Sequence, residues 1–340
     1  MVVETPSAPA EPALRLCSLV SEAGGEDPAG SAWSTPRYML VELALPWEYD
    51  LLAGKRIPAG LRAFVEERYA AGDDWGLIGM APDEAWSVPG FVRVIDLRLP
   101  DAPFRAYARD EYLIPEEDLV AALRIMADDP TALVLDAWRQ PESDVRDLLV
   151  CTHGAVDACC AKFGYPVYRR LRQIAEETAG AVRVWRCTHF GGHRFAATLL
   201  DMPEGRYWGR LKAEHLPRLV HRDGPAADLR GCYRGWAALP HPLQQVAEAE
   251  ALVRGGWAWT ECLVEPGAAP EAFDAAEASL SFAYNHPGRG ERGEIAIDVL
   301  PDGEKPSKHS TVDEELVQIP QFRVEVRRVT PEGGLLGGSR

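Results

Sequence analysis

The chain reads as an α/β (α+β) protein, with helices layered on mixed sheets in two tandem units and a smaller C-terminal α+β appendage. Three observations predict this. Strand-like and helix-like runs alternate as far as about residue 230, and the order strand, helix, strand, strand, strand, helix occurs twice. Short strands joined by Gly/Pro-rich turns then take over. With 340 residues, 46% hydrophobic and 26% charged, there is ample material for such a core.

Residues 1–35 are rich in Pro, Ala, Ser and Gly and are expected to form a mobile arm, with one anchoring patch at LRLCSLV. In the first unit, 36–130, RYMLVELAL is a buried strand and PAGLRAFVEERYAAG a helix bracketed by Pro58 and Gly72. WGLIGM, FVRVIDLRL and FRAYARDEYLI are strands, and PEEDLVAALRIMADD is an amphipathic helix. In the second unit, 131–230, RDLLVCTH and AVRVWRCTH are strands running into loops. PVYRRLRQIAEETAG is a helix from Pro166, FAATLLDMP and RYWGRLKA form a hairpin, and AEHLPRLVHR is a short helix. The shared order suits a thioredoxin-like layer in each unit, although only the second carries Cys/His loops. In the appendage, 231–340, HPLQQVAEAEALVRGG is a helix. WAWTECLVE, ASLSFAYN, EIAIDVL and QFRVEVRRV are strands, and PDGEKPSKHSTVDEE is a polar loop.

The formal net charge of -16 argues against nucleic acid or an anionic membrane as partner, because phosphate binding needs clustered Lys and Arg. The N-terminus has no signal-peptide pattern, and no apolar run is long enough to span a bilayer. Seven cysteines without export signals point to a reducing, cytoplasmic setting in which clustered thiols bind metal or carry redox chemistry.

Four of those cysteines and three of the eight histidines fall in CTHGAVDACC and CTHFGGHRF. Both segments begin where a hydrophobic strand ends, the usual place for functional loops in an α/β layer. Cys151 and Cys160 enclose eight residues, and His189 and His193 enclose three. Two thiolates with two imidazoles suit either zinc or a [2Fe–2S] cluster with Cys on one iron and His on the other. The cysteine spacing is too wide for a zinc finger, and H-F-G-G-H lacks the Glu of a zincin. Gly191 and Gly192 suit a loop whose backbone approaches something bulky or donates N–H groups to sulfide. On residues alone a cluster, a zinc ion and a metal-free site all stay open.

CTHGAVDACC, GYPVYRRL and VWRCTHFGGHRFAATLLDMPEGRYWGRL together resemble the sucrase/ferredoxin-like family, and CSLVSEAGGEDPAGSAW and VELALPWEYD extend the likeness from about residue 15 to about 240. The resemblance implies a thioredoxin-like ferredoxin domain in the second unit. Its C-x8-C and H-x3-H pattern implies a [2Fe–2S] cluster on Cys151, Cys160, His189 and His193. Exchanging two thiolates for imidazoles raises the potential, from about -400 mV for all-cysteine plant-type clusters to roughly -150 to +300 mV. A ligating imidazole can also couple electron uptake to a proton.

Other residues near the loops have humbler expected roles. His153, Asp157, Gly191, Gly192 and Arg194 are candidates for the surroundings of the centre, with Asp157 capping a short turn that holds Cys160. Arg194 would favour the reduced state if it points inward. Cys159 and Cys187 are expected to be packed thiols, and Cys17, Cys232 and Cys262 buried hydrophobes. Glu116 and Glu117 are helix N-terminal charges rather than a glycosidase pair. The expected function is one-electron transfer, in an electron carrier more than a stand-alone enzyme, with a redox protein partner as external reductase or oxidase. A zinc-stabilised or metal-free binding module is the alternative. A thiol oxidoreductase is weakened by the lack of C-x-x-C.

Overall fold

Alternating apolar side chains build the centre of the molecule. In the computed structural model, which describes residues 16–331 and 334–337, they assemble into two sheets. The first half comprises β1 (Arg37–Glu42), α2 (Leu61–Ala70), β2 (Gly76–Met80), β3 (Phe91–Arg98), β4 (Ala108–Pro115) and α3 (Leu119–Asp128), preceded by helix α1 (Cys17–Gly24). The second comprises β5 (Arg146–Cys151), α4 (Ala158–Ala175), β6 (Val182–Cys187), β7 (Leu199–Met202), β8 (Arg206–Trp208), α5 (Leu216–His221) and β9 (Tyr233–Trp236). The expected element order is therefore present in both halves.

The halves also repeat in topology. The large sheet has the order β4-β3-β1-β2-β6-β5-β7-β8-β9. In each half the first two strands are parallel, and the third and fourth add antiparallel on the outer side. β2 meets β6 antiparallel through one pair, Met80 with Cys187, so the two copies are related by an approximate two-fold at that seam. The tandem units thus share one nine-stranded sheet.

Side chains also join the halves across the seam. Tyr38 and Tyr207 hydroxyls lie 3.1 Å apart, and Arg183 of β6, held by Asp147 of its own half at 2.8 Å, bonds Glu111 of β4 at 2.9 Å. Arg93 and Arg109 also pair with Glu111. Helices α2 and α3 close a separate core on the outer face of the first half, with Phe64, Val94 and Leu123 inside it.

Several expectations change in detail. Helix α4 begins at Ala158, so Cys159 and Cys160 stand in its first turn and Pro166 lies inside it. The cause is Asp157, whose carboxylate accepts the Cys159 N–H at 2.9 Å and nucleates the helix eight residues early. The expected arm is a loose segment only on paper from residue 16 onward. α1 is docked with Cys17 fully buried, and Gly30 and Ser31 donate to the Arg234 carbonyl; residues 1–15 lie outside the described residues. β9 extends the large sheet beyond residue 230.

The appendage consists of α6 (Pro242–Gly255) and a four-stranded sheet of β10 (Leu263–Pro266), β11 (Ala278–His286), β12 (Glu291–Ser307) and β13 (Val317–Thr330). The polar stretch from Pro301 to Ser307 is strand rather than loop. It pairs with β13 across a register shift at Pro301/Glu304, an irregularity at which a strand proline is tolerated. Of the WAWTECLVE run expected as strand, residues 257–261 lie in a 3-10 turn, Gly256–Glu261, and only residues 263–265 are strand. No helix among the described residues is long and apolar enough to cross a membrane.

Candidate metal centre

Both CTH segments follow parallel neighbours, β5 and β6, and Cys151 and Cys187 are partners in register. Cys151 closes β5, while α4 brings Cys160 back over the strand end. The helix can approach this closely because residue 164 is glycine; a Cβ there would overlap the Cys151 carbonyl. His189 follows β6. Its Nδ1 lies 3.8 Å from Cys151 Sγ and 3.7 Å from Cys160 Sγ. The three donor atoms lie within 4.8 Å of one another, with both cysteines buried.

His193 stands beside them, its ring centroid 5.1 Å from that of His189. It opens a 3-10 turn after Gly191 and Gly192, whose φ values of 89° and 77° place both in the left-handed region. His193 Nδ1 is 3.0 Å from Asp157 Oδ2. The carboxylate thus faces the Nδ1 side of the imidazole, although the pair is not aligned as a hydrogen bond. The predicted donors are thus gathered in one place, three tightly and the fourth one ring away.

The electrostatics favour a thiolate. Burial pushes the Cys151 thiol up, but hydrogen bonds from Cys160 and His189 more than reverse this and bring it well down. Cys160, bonded to that thiolate and buried, is pushed up in turn. Burial lowers His193 and His153, keeping both imidazoles neutral and able to donate a lone pair. Cys187 is simply buried, which raises it.

The surroundings are built from distant parts of the chain. His153 accepts the His189 N–H at Nδ1 (3.4 Å), and its Nε2 meets the Glu48 carbonyl at 2.8 Å. Trp47 packs edge-on to its ring, so the loop after β1 walls the site. Asp157 does more than cap. It also accepts the Thr311 N–H and hydroxyl, both at 2.8 Å, and the Ser310 hydroxyl at 3.0 Å, which fastens the β12–β13 loop to the base of α4. Cys17 and Cys159 lie 3.4 Å apart, sulfur to sulfur, in a small buried cluster with Asp157 and apart from the donor trio.

Arg194 turns back to Glu26 at 2.8 Å and lies over Phe195, so its charge is matched. A different arginine lies under the H-x3-H loop. Arg234 is 2% exposed and donates to the Gly191 carbonyl at 3.0 Å and to Ser31 Oγ at 3.1 Å. Burial pulls its guanidinium down to about 10. Sequence reasoning missed it, and the one available signal was an arginine inside the short strand run YRGW. The matching strand ends of the first half, β1 and β2, hold no Cys or His. They border an open cleft of about 860 Å³ whose polar lining is Glu42, Arg56, Asp83, Glu84, Ser87, Glu116 and Glu117.

Fold and site define a class: an α/β protein of two pseudo-symmetric halves, with a buried Cys/His donor pocket at the strand ends of the second. Comparison with known proteins makes this specific. Residues 28–235 match the family described as Sucrase/ferredoxin-like, and the chain belongs to that family. It is similar to "Altered inheritance of mitochondria protein 32" of Meyerozyma guilliermondii, 26% identical over 135 residues. That match covers 37% of this chain and 48% of the relative, so the chain spans about half the length of the curated relative it matches.

Proposed function

We propose that the protein is a cytoplasmic one-electron carrier whose [2Fe–2S] cluster is held by Cys151, Cys160, His189 and His193 and which exchanges electrons with a redox protein partner. The observation that carries this reading is the buried meeting of two thiols and His189, with His193 one ring away. The donor set fits the cluster chemically, pairing thiolate-forming sulfur with neutral imidazole nitrogen. Bound there, the group would supply a reversible one-electron couple with a potential raised by its imidazole ligands.

The chain's own residues do the rest. Cys151 provides the thiolate, and the capped first turn of α4 presents Cys160. His153 accepts the backbone N–H of His189, and the Asp157 carboxylate faces the Nδ1 side of His193. The wall of Trp47 and the β12–β13 loop limit water at the buried side.

A single zinc ion is the second reading, favoured by the compactness of the trio, whose donor atoms all lie within 4.8 Å. Anaerobic purification decides between them. Iron and acid-labile sulfide in equal amounts, visible absorption bleached by dithionite, and a rhombic EPR signal after reduction support the cluster. A colourless protein with stoichiometric zinc removes it.

A further inference from the structure

Among the described residues, the buried arginines come with carboxylates, except one. Arg93 and Arg183 share Glu111, and Arg206 is bonded to Glu248 at 2.8 Å. Arg234 is as deeply buried as Arg206, yet no carboxylate among the described residues pairs with it. Its hydrogen-bond partners are neutral: the Gly191 carbonyl, the Ser31 carbonyl and Ser31 Oγ. Its guanidinium lies 5.2 Å from the Tyr207 ring centre and 5.6 Å from that of Phe195, contacts that do not cancel a charge. A buried cation without a counter-charge is costly and is retained where something else answers it.

The position of the charge says what answers it. Gly191, the acceptor, lies two residues from His189 and two from His193. Residue 192 must be glycine in shape, because a Cβ there would overlap the guanidinium itself. The H-x3-H loop is therefore folded around the cation. We infer that Arg234 is the fixed counter-charge of the metal centre, a positioning residue that favours the state carrying one more electron. This rests on the cluster reading above and adds to it a tuning residue outside the ligand set. Adding an electron adds one negative charge, and a fixed cation in a medium of low polarity stabilises that charge more strongly than water would.

A purely structural alternative exists, since Arg234 also clasps residues 30–31 to β9. The two roles separate by charge. In Arg234→Gln and Arg234→Met the midpoint potential should fall, and the reduced protein should lose iron to a chelator about tenfold faster. Arg234→Lys keeps the charge and should restore both. Metal-free Arg234→Gln and Arg234→Lys should both unfold cooperatively, since the Arg234 backbone carbonyl keeps its bonds from Gly30 and Ser31 in either variant, so a difference in potential between them reads the charge and not the fold. Potentials equal to the parent's in both neutral variants, or a fall in Arg234→Lys as large as in Arg234→Gln, would overturn the inference while leaving the iron site intact. A parent protein that binds no iron overturns the cluster reading and the inference with it.

Discussion

Asp157 and Thr311 are 154 residues apart in sequence, and the carboxylate of one accepts both the N–H and the hydroxyl of the other at 2.8 Å. Asp157 lies between Cys151 and Cys160 in the chain, and Thr311 in a hairpin loop outside the family match. The appendage thus reaches the foot of α4, where the same carboxylate also accepts the Cys159 N–H and faces His193.

Replacing Asp157 with Ala should cost about 3 kcal/mol, combining a lost helix cap with lost charge-assisted hydrogen bonds in a buried setting. Chemical denaturation measures it. Thr311→Ala removes the hydroxyl alone and should cost about 1 kcal/mol. An Asp157→Ala midpoint equal to the parent's would show that the loop does not depend on this carboxylate.

Cysteine variants should separate ligand from neighbour. Cys160→Ser should abolish bound iron, whereas Cys159→Ser and Cys187→Ser should keep it, since Cys159 Sγ faces Cys17 and Cys187 closes β6. Iron and sulfide counts per chain decide this. Retention of full iron by Cys160→Ser would strike that residue from the ligand set.

Glu111 gives the fold an acid limit. Burial alone would raise its carboxyl, but the hydrogen bond and charge of Arg183, with Arg109 and Arg93, carry it down to about 2. A lowered carboxyl contributes stability that is full above its unfolded value of about 4.3 and is lost as pH falls below that. Here the loss runs down to about pH 2. The contribution is on the order of 3 kcal/mol. Glu111→Gln should flatten the acid limb of a stability-against-pH curve and should cost about 3–5 kcal/mol at neutral pH by stranding buried arginines. An unchanged acid limb would locate the sensitivity elsewhere.

Gly192→Ala should be poorly tolerated. Its φ of 77° strains any side chain, and the added methyl meets Arg234. A loss of about 1–3 kcal/mol is expected, together with weaker iron retention. Gly191→Ala pays the same φ penalty but finds open space, so it should be the milder of the two. Equal effects would mean that backbone strain alone matters.

The strands and helices of both halves were legible because their apolar periodicity is strong, and so was the convergence of Cys151, Cys160 and His189, which follows from loops at the ends of adjacent parallel strands. What stayed hidden was long-range. Pro166 looks like a helix start because proline favours first turns, but the Asp157 cap acts earlier and the helix absorbs the proline. Pro301, Gly303 and Pro306 spell a turn locally, and only pairing with β13 makes them strand. Arg234 is unremarkable in a short strand, and only the fold shows that it is buried with no carboxylate partner among the described residues. The merging of two units into one sheet depends on one residue pair with no local signature.

That pair has a mechanical reading. Cys187 is bonded in register to Cys151 on one side and to Met80 on the other, so the donor pocket lies on the crease where two plates of sheet are joined. The strand that carries the join also carries the start of the His189 loop. Whatever displaces β6 therefore displaces the seam and one wall of the pocket together.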